Sequence, residues 1–452
     1  MKTTKQRDTD MTRGNIVRHI IIFSIPLLVG NVFQQMYNTV DTWVVGNFTT
    51  NEAYSAVGSV GPVINMLIGI FLGLSSGAGV VVSQFYGAKQ YDKVHNAVHT
   101  SLTLTFIMAV IFTILGIVMT PFMLQLMKMP EEVIPEAKIY LTIYFAGVTG
   151  LMIYNMGAGI LRAIGDSKRP FYFLVVSAII NTVLDLVFVL VFHMGVAGVA
   201  YATIIAQGIS AVLVMITLIR SDSCVKFSFR EMGISAEQIK LIMKVGIPAA
   251  LQMAVTAFSN VFVPSYINHF GQDIMSGWTT YAKLDQFMFL PMQSISLAAS
   301  TFMGQNLGIG DVDRAKKGVR LSSAISLLCT ALIMLPLVIF APVFAAFFND
   351  KPEVIDASTT LIRWISPFYL ICSFNQIYSA ALRGAGNSKI PMIIMIGSFV
   401  VFRQCYLFIT ANFICNEIIP IAMGYPAGWA VCSLATLIYY KKTDLTKTKL
   451  VA

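Results

Sequence analysis

Charged residues are scarce in this chain of 452 residues, since aspartate, glutamate, lysine and arginine together make up only 12% of it. An ordinary soluble domain has about 25%. Hydrophobic residues account for 56% of the chain, so there is too little charge to cover the surface of a soluble fold of this length. The composition therefore excludes a soluble multidomain enzyme and indicates a polytopic membrane protein.

Several chemical motifs are also missing. The six cysteines form no CxxC pair and mostly fall within apolar stretches, which is typical of buried small side chains rather than of disulfides or a zinc site. No GxxxxGK[ST] phosphate loop, HExxH pair or comparable His/Cys cluster is visible. A membrane-embedded enzyme or sensor would need a nucleophile or a metal constellation within the spans. We therefore expect neither an enzyme nor a bound cofactor.

Apolar segments of about 20 residues, the length that a bilayer-crossing helix requires, recur along the whole chain. They predict twelve transmembrane helices, near Ile16–Val45, Tyr54–Val82, Val98–Met119, Ala137–Ile160, Phe171–Phe192, Ala197–Leu218, Leu241–Ile267, Ile274–Phe302, Leu321–Phe340, Ile355–Leu382, Met392–Phe413 and Ile421–Tyr440.

The basic residues are distributed unevenly between the two sides of these spans. Of the 31 lysines and arginines, 25 lie in the terminal segments and the even loops, 3 lie in the odd loops and 3 lie within spans. The positive-inside rule then predicts a plasma (inner) membrane protein with both termini in the cytoplasm. The net charge of +9 is explained in this way without a nucleic acid partner.

An internal repeat divides the chain. The segment Leu161–Pro170 returns as Leu382–Pro391 with six of ten positions identical, at an offset of 221 residues. Each half then holds six spans in the same orientation. The predicted fold is an all-α polytopic membrane protein whose twelve helices form two parallel-repeat six-helix bundles around a central cavity. Its predicted parts are an N-terminal lobe 1–220, a cytoplasmic linker 221–238 and a C-terminal lobe 239–452. Such an arrangement suits alternating access.

Polar side chains inside the spans are rare and costly, so they mark sites that function or pair. On the first span Gln34, Tyr37, Asn38 and Asp41 follow one another at helical spacing, which places them on one helix face.

The fifth and sixth spans each carry a polar pair four residues apart, Asn181 with Asp185 and Thr203 with Gln207. The helical rise places Asp185 about 22 Å across the bilayer from the inner side and Thr203 about 12 Å in from the outer side. Both then lie in the outer half of a core about 30 Å thick, as does Asp41. We predict one carboxylate-rich pocket that exchanges H⁺ or, alternatively, holds Na⁺. The other interpretation is that Asn181 and Asp185 only bond neighbouring helices.

The second half of the repeat does not have these groups. At the repeat offset Asn181 and Asp185 map onto Phe402 and Tyr406, so ion coupling is predicted in the first half alone. Two other charges, Asp285 and Arg403, fall near the middle of their spans. They either pair with each other or contact substrate.

In these motifs and their order, the sequence resembles the multidrug and toxic compound extrusion (MATE) family over nearly its whole length. The matching segments are Phe23–Pro26, Tyr37–Thr42, Gln84–Ala88, Leu161–Pro170, Asn181–Asp185 and Gly304–Gly308. The resemblance implies a cation-coupled antiporter that expels organic, often cationic and aromatic, compounds. A related lipid-linked oligosaccharide flippase is the alternative, and the acid-rich first half disfavours it.

The resemblance also implies roles for particular residues. Those that correspond to the N-lobe cation site of one branch are Asp41, Asn181, Asp185 and Thr203. Gln34 and Tyr37 match cavity-lining positions, and Pro26 matches a kink of the first helix. The chain departs from the branch with a sodium-binding glutamate in the seventh span, because Leu251–Ala257 contains no acid. The expected partners are a small organic substrate and the bilayer, around a protein that works as a monomer.

Overall fold

A computed structural model describes residues 10–127, 129–260 and 262–450. Within these ranges the chain is helical and contains no β-strand. This follows from the apolar surroundings, because a helix satisfies all of its backbone hydrogen bonds within one segment where no water can do so. Of the basic residues used to predict orientation, Lys2, Lys5, Arg7 and Lys128 lie outside the described ranges.

The first half contains seven α-helices, which are α1 Ile16–Phe48, α2 Asn51–Gly87, α3 Tyr91–Leu126, α4 Ile134–Ala146, α5 Val148–Ala163, α6 Lys168–Leu186 and α7 Gly195–Ile219. A π-helical turn, Val187–Val191, continues α6. The segment that follows α7 holds one short 3₁₀ turn, Phe229–Glu231.

The second half contains eleven α-helices, several of them short. They are α8 Ala236–Ser259, α9 Phe262–Ile267, α10 Gln272–Gly308, α11 Val312–Ile339, α12 Ala341–Ala346, α13 Pro352–Ile365, α14 Tyr369–Gly384, α15 Lys389–Ile396, α16 Arg403–Ile409, α17 Ile418–Ala422 and α18 Gly424–Lys442. Two π-helical segments, Gly397–Phe402 and Thr410–Ile414, flank α16.

In the described ranges the twelve predicted spans fall on helices, and Val261, inside the predicted span Leu241–Ile267, lies outside those ranges. Within the described ranges, nine helices are long and apolar enough to cross a membrane, and the bent pair α4 and α5 makes a tenth span. The predicted span Ile274–Phe302 lies within α10, whose hydropathy is lowered by Lys283, Asp285 and several glutamines and serines. The predicted span Ile355–Leu382 is broken into α13 and α14 by the 3₁₀ turn Ser366–Phe368.

The internal repeat is visible in the backbone as well as in the sequence. Gly165 and Gly386, at the repeat offset, both have a positive φ, of 88° and 92°. Lys89 and Gly310 share the same offset and are also positive, at 58° and 82°. The bend between α4 and α5, centred on Gly147, matches the break around Phe368 between α13 and α14. The two halves therefore share one chain path.

Contacts divide the chain into two compact units. The first unit includes Val29–Gly246, and the second comprises Met11–Leu28 and Ile247–Ala452. The division thus falls within α1, just after Pro26, and the segment 221–238 groups with the first unit. The lobe boundaries at residues 220 and 239 stay a prediction.

Residues 11–28, which include the start of α1, are held in the second unit by polar and apolar contacts. The Met11 amide donates to Gln305 Oε1 at 3.0 Å, and Arg314 donates to the carbonyl oxygens of Met11 and Gly14. Ile20 and Phe23, both almost fully buried, belong to the same apolar core. Residues 11–28 are therefore an integral part of the second unit.

Gly386, in the repeated segment Leu382–Pro391, allows the stability of the second unit to be tested. A Cβ there would lie 2.8 Å from Leu450 Cγ and 2.9 Å from the Thr448 oxygen, on a residue with φ +92°. We expect Gly386→Ala to cost about 1–2 kcal/mol and to lower the thermal unfolding midpoint of the purified protein in detergent. Gly208→Ala in α7, where a Cβ meets no atom within 4 Å, is the control. Equal midpoints for the two variants would contradict the prediction.

Candidate functional site

Two carboxyl groups meet inside the first unit. Asp41 lies on the second half of α1 and is 9% exposed, and Asp185 lies near the end of α6 and is fully buried. Their side chains are in contact with each other. The structure thus brings together the two acids that the sequence analysis predicted to converge. The π-helical turn Val187–Val191 begins two residues after Asp185, and such turns are frequent at functional sites.

Several polar atoms of this site are buried without a hydrogen-bond partner among the described residues. Asn181, one turn before Asp185, is 1% exposed. Five buried oxygen and nitrogen atoms of Asp41, Asn181 and Asp185 have no hydrogen-bond partner among the described residues. Buried polar groups in proteins are almost always paired. Two ionised carboxylates only accept hydrogen bonds and repel each other, so the contact requires a proton or a cation to complete it.

The Thr203 hydroxyl forms its hydrogen bond within its own helix. Thr203 is buried on α7, and its hydroxyl donates to the Val199 oxygen of its own helix at 3.0 Å. Its oxygen retains lone pairs that can accept a hydrogen bond or coordinate a cation.

Buried tyrosines of α4 belong to the same polar group, and the sequence analysis missed two of them, Tyr140 and Tyr144. Tyr140 of α4 lies near both Asp41 and Asp185. Tyr144, one turn later, lies beside the Gln207 side chain, and the two rings stack with centroids 6.4 Å apart. Both are almost fully buried. Their spacing of four residues within an apolar span was the available signal.

The predicted stripe on α1 divides in the structure. The Tyr37 side chain lies beside Gln34 and near Asp41 and Tyr144, so these residues join the same polar group. Asn38, in contrast, is exposed. Pro26 lies within α1, where its missing N–H removes one helical hydrogen bond and favours a kink.

The second unit holds a different kind of site. Arg403 on α16 is 2% exposed and donates to Ser259 Oγ at 2.7 Å and to Asn260 Oδ1 at 3.0 Å. Its guanidinium lies 4.8 Å from the centre of the Tyr425 ring. Asp285 on α10 accepts a hydrogen bond from the Tyr281 hydroxyl at 3.2 Å. No ion pair joins Asp285 to Arg403 in the part of the chain that the structure describes, so each is held by neutral partners.

Aromatic rings connect these two charges. Tyr425 stacks on Trp278, with centroids 5.8 Å apart and an angle of 27°. Tyr369 packs against Trp429 at 4.8 Å and shares a hydroxyl contact of 3.0 Å with Tyr281. The second unit thus contains a charged group lined by large π-systems. Such surroundings suit flat organic molecules.

Comparison with known proteins gives the family. The family model MatE matches residues 26–187 and, a second time, residues 248–408. The chain belongs to the MATE family. The two matches coincide with the two halves of the repeat, and each MATE segment begins at a proline, Pro26 or Pro248.

Curated relatives align with 80% or more of this MATE chain. The probable multidrug resistance protein YpnP of Bacillus subtilis is 29% identical over 432 residues, which is 96% of both chains. An FAD transporter of Shewanella oneidensis is 25% identical over 374 residues, or 80% of both chains. These relatives are transporters, not enzymes.

A solved structure confirms the fold. A MOP superfamily transporter from Pyrococcus furiosus, described as having a binding pocket of reverse polarity, covers 98% of both chains with a TM-score of 0.91 at 24% identity. The predicted all-α, two-repeat membrane fold of twelve helices is therefore confirmed. The protein is an integral membrane transporter of the MATE family.

The contact between the two acids predicts an unusual stability profile. We expect Asp185→Asn to leave the thermal unfolding midpoint at neutral pH equal or higher, because an amide avoids the cost of burying a carboxylate. The double variant Asp41→Asn/Asp185→Asn should gain less than the sum of the single variants, by on the order of 1 kcal/mol. Asp222→Asn, at an exposed linker position, is the control. A large drop for Asp185→Asn, or strict additivity, would show that the acids do not interact.

Proposed function

We propose that this transporter is a cation-coupled antiporter that exports organic, often cationic, drugs or toxic metabolites across the plasma membrane by alternating access. The driving ion is H⁺ or Na⁺. Membership of the MATE family and the multidrug names of relatives such as YpnP support the export of foreign compounds. The observation that supports the coupling is the contact between Asp41 and Asp185, three of whose carboxyl oxygens have no hydrogen-bond partner among the described residues.

Coupling follows from the chemistry of that contact. When both acids are ionised and buried, they repel each other, so the site takes up a proton or a Na⁺ ion from the side to which it is open. Asn181 and Thr203 supply further oxygen atoms, the ligands that hard cations prefer. An ion taken up on one side and released on the other links its gradient to the conformational cycle. No resident cofactor takes part in this scheme, and the unit of transport is the monomer.

Substrate recognition belongs, in this proposal, to both units. In the first unit Gln34, Tyr37 and Gln207 offer hydrogen bonds beside the coupling acids, and Asn38 adds an exposed amide on α1. In the second unit Asp285 and Arg403 lie among aromatic rings. Because Asp285 has no cationic partner among the described residues, its carboxyl group is available to an organic cation. We further propose that Pro26 provides the bend by which α1 changes shape.

Ion-driven transport tests the coupling site directly. Protein reconstituted in vesicles should expel a fluorescent organic cation when a pH or a Na⁺ gradient is imposed, and the gradient that works identifies the ion. Asp41→Asn and Asp185→Asn should each lower the initial rate about tenfold or more, because the site can no longer exchange the ion. Asp222→Asn should transport normally. Ion-driven rates that stay normal in both site variants would refute the assignment.

The second-unit charges should affect substrate range and leave the coupling ion unchanged. We expect Asp285→Asn to raise the KM for cationic dyes several-fold while neutral aromatic compounds are still transported, since only the charge contact is removed. Asp273→Asn, at an exposed position of the same helix, is the matched control. Initial rates are measured for one cationic and one neutral dye under the same gradient. An equal loss for both dyes would place Asp285 outside the substrate site.

A further inference from the structure

Two histidines and a glutamate from distant parts of the chain meet in the first unit. His95 and His99 are one turn apart on α3, and Glu231 ends the 3₁₀ turn Phe229–Glu231. Their potential ligand atoms all lie within 4.8 Å of one another. No such cluster is visible in the sequence, because Glu231 is 136 residues from His95.

The segment that carries Glu231 is firmly held against α3. Val225 and Phe227 are almost fully buried, and the His99 ring stacks on Phe227 with centroids 5.1 Å apart. The Ser228 hydroxyl caps the 3₁₀ turn by accepting from the Arg230 amide. Glu231 therefore reaches the histidines from a structured turn.

Hydrogen bonds fix the orientation of the His99 ring. The Ser228 amide donates to His99 Nε2 at 3.0 Å, so Nε2 carries a lone pair and the proton lies on Nδ1. Nδ1 in turn lies 2.9 Å from the His95 carbonyl oxygen and donates to it. A histidine whose second nitrogen donates to a backbone carbonyl is the usual arrangement for a metal ligand, because that bond sets the tautomer.

The distances between the ligand atoms suit a small metal ion. Glu231 Oε2 lies 2.8 Å from His95 Nε2 and 3.7 Å from His99 Nε2. A tetrahedral Zn²⁺ with bonds of about 2.0–2.1 Å separates its ligands by about 3.3 Å. Shifts of well under 1 Å would bring these two pairs to that separation. Two imidazoles and one carboxylate also match the ligand set that Zn²⁺ takes in open sites.

We propose that His95, His99 and Glu231 form a binding site for a divalent transition metal of the Zn²⁺ class, with water as the fourth ligand. The ion replaces the Ser228 amide at His99 Nε2 and the proton that His95 shares with Glu231. It joins α3 to the segment between the two sequence repeats by bonds stronger than a hydrogen bond. The site is separate from the transport chemistry proposed above. The nitrogen ligands favour Zn²⁺, Co²⁺ or Ni²⁺ over Mg²⁺ and Ca²⁺, which prefer oxygen.

Metal binding is measured on the full-length protein in detergent, purified without a polyhistidine tag and treated with a chelator. Equilibrium dialysis against Zn²⁺ should give one ion per chain, and Co²⁺ should give the intense visible bands of a tetrahedral site. His99→Gln, His95→Gln and Glu231→Gln should each weaken Zn²⁺ binding by more than about tenfold. His269→Gln, at an exposed histidine of the second unit, should bind like the wild type.

The outcomes separate a metal site from an ordinary hydrogen-bonded cluster. Because the Glu231→Gln amide can still hydrogen-bond His95, this variant keeps the fold, and its loss of Zn²⁺ binding would support the site even if a histidine variant misfolded. A wild type that binds no Zn²⁺, or variants that bind it as tightly as the wild type, would overturn the proposal.

Discussion

Two carboxyl groups in contact inside an apolar helix bundle require that their negative charge be neutralised. Asp41 and Asp185 can share that space only when a proton or cation lies between them or when one of them is neutral. The helices α1 and α6 bring the two acids into contact, and the buried Tyr140 of α4 lies near both. Ionisable groups inside membrane spans are costly, and they are usually retained for function rather than for the stability of the fold.

The two halves of the chain show how a duplicated frame can diverge in chemistry. Matching positive φ angles, matching bends and two matches to one family model show the shared frame. The positions equivalent to Asn181 and Asp185 are nevertheless Phe402 and Tyr406. In place of the paired acids, the second unit has a buried guanidinium against aromatic rings. Under the proposed function, one half serves a small ion and the other serves a larger, flatter molecule.

Much of this organisation could be predicted from the sequence, because the position of a residue along a membrane helix follows directly from its number. Span length, helical spacing and the rise per residue were enough to place Asp41 and Asp185 at a common depth. Helix rotation was harder to predict. Tyr140 lies near both acids and Tyr144 lies beside Gln207, and Asn38 is exposed although it lies on the predicted polar face. Hydropathy also does not report breaks such as the one around Phe368, where a single span becomes two helices.

Contacts that leave no pattern in the sequence could not be predicted. No periodicity indicates that Glu231 meets His95, or that Met11 bonds to Gln305. Such contacts depend on how whole helices pack, and one sequence contains no direct record of that.

The membership of residues 11–28 in the second unit has a consequence for synthesis. These residues leave the ribosome before their packing partners around Gln305 and Arg314, which come about 300 residues later. The first part of α1 must therefore wait in the membrane, without its final neighbours, until most of the chain has been inserted. A gene cut between the two repeats would yield a C-terminal fragment that lacks one of its own helical segments. The two halves are duplicates in sequence, but they are not independent folding modules.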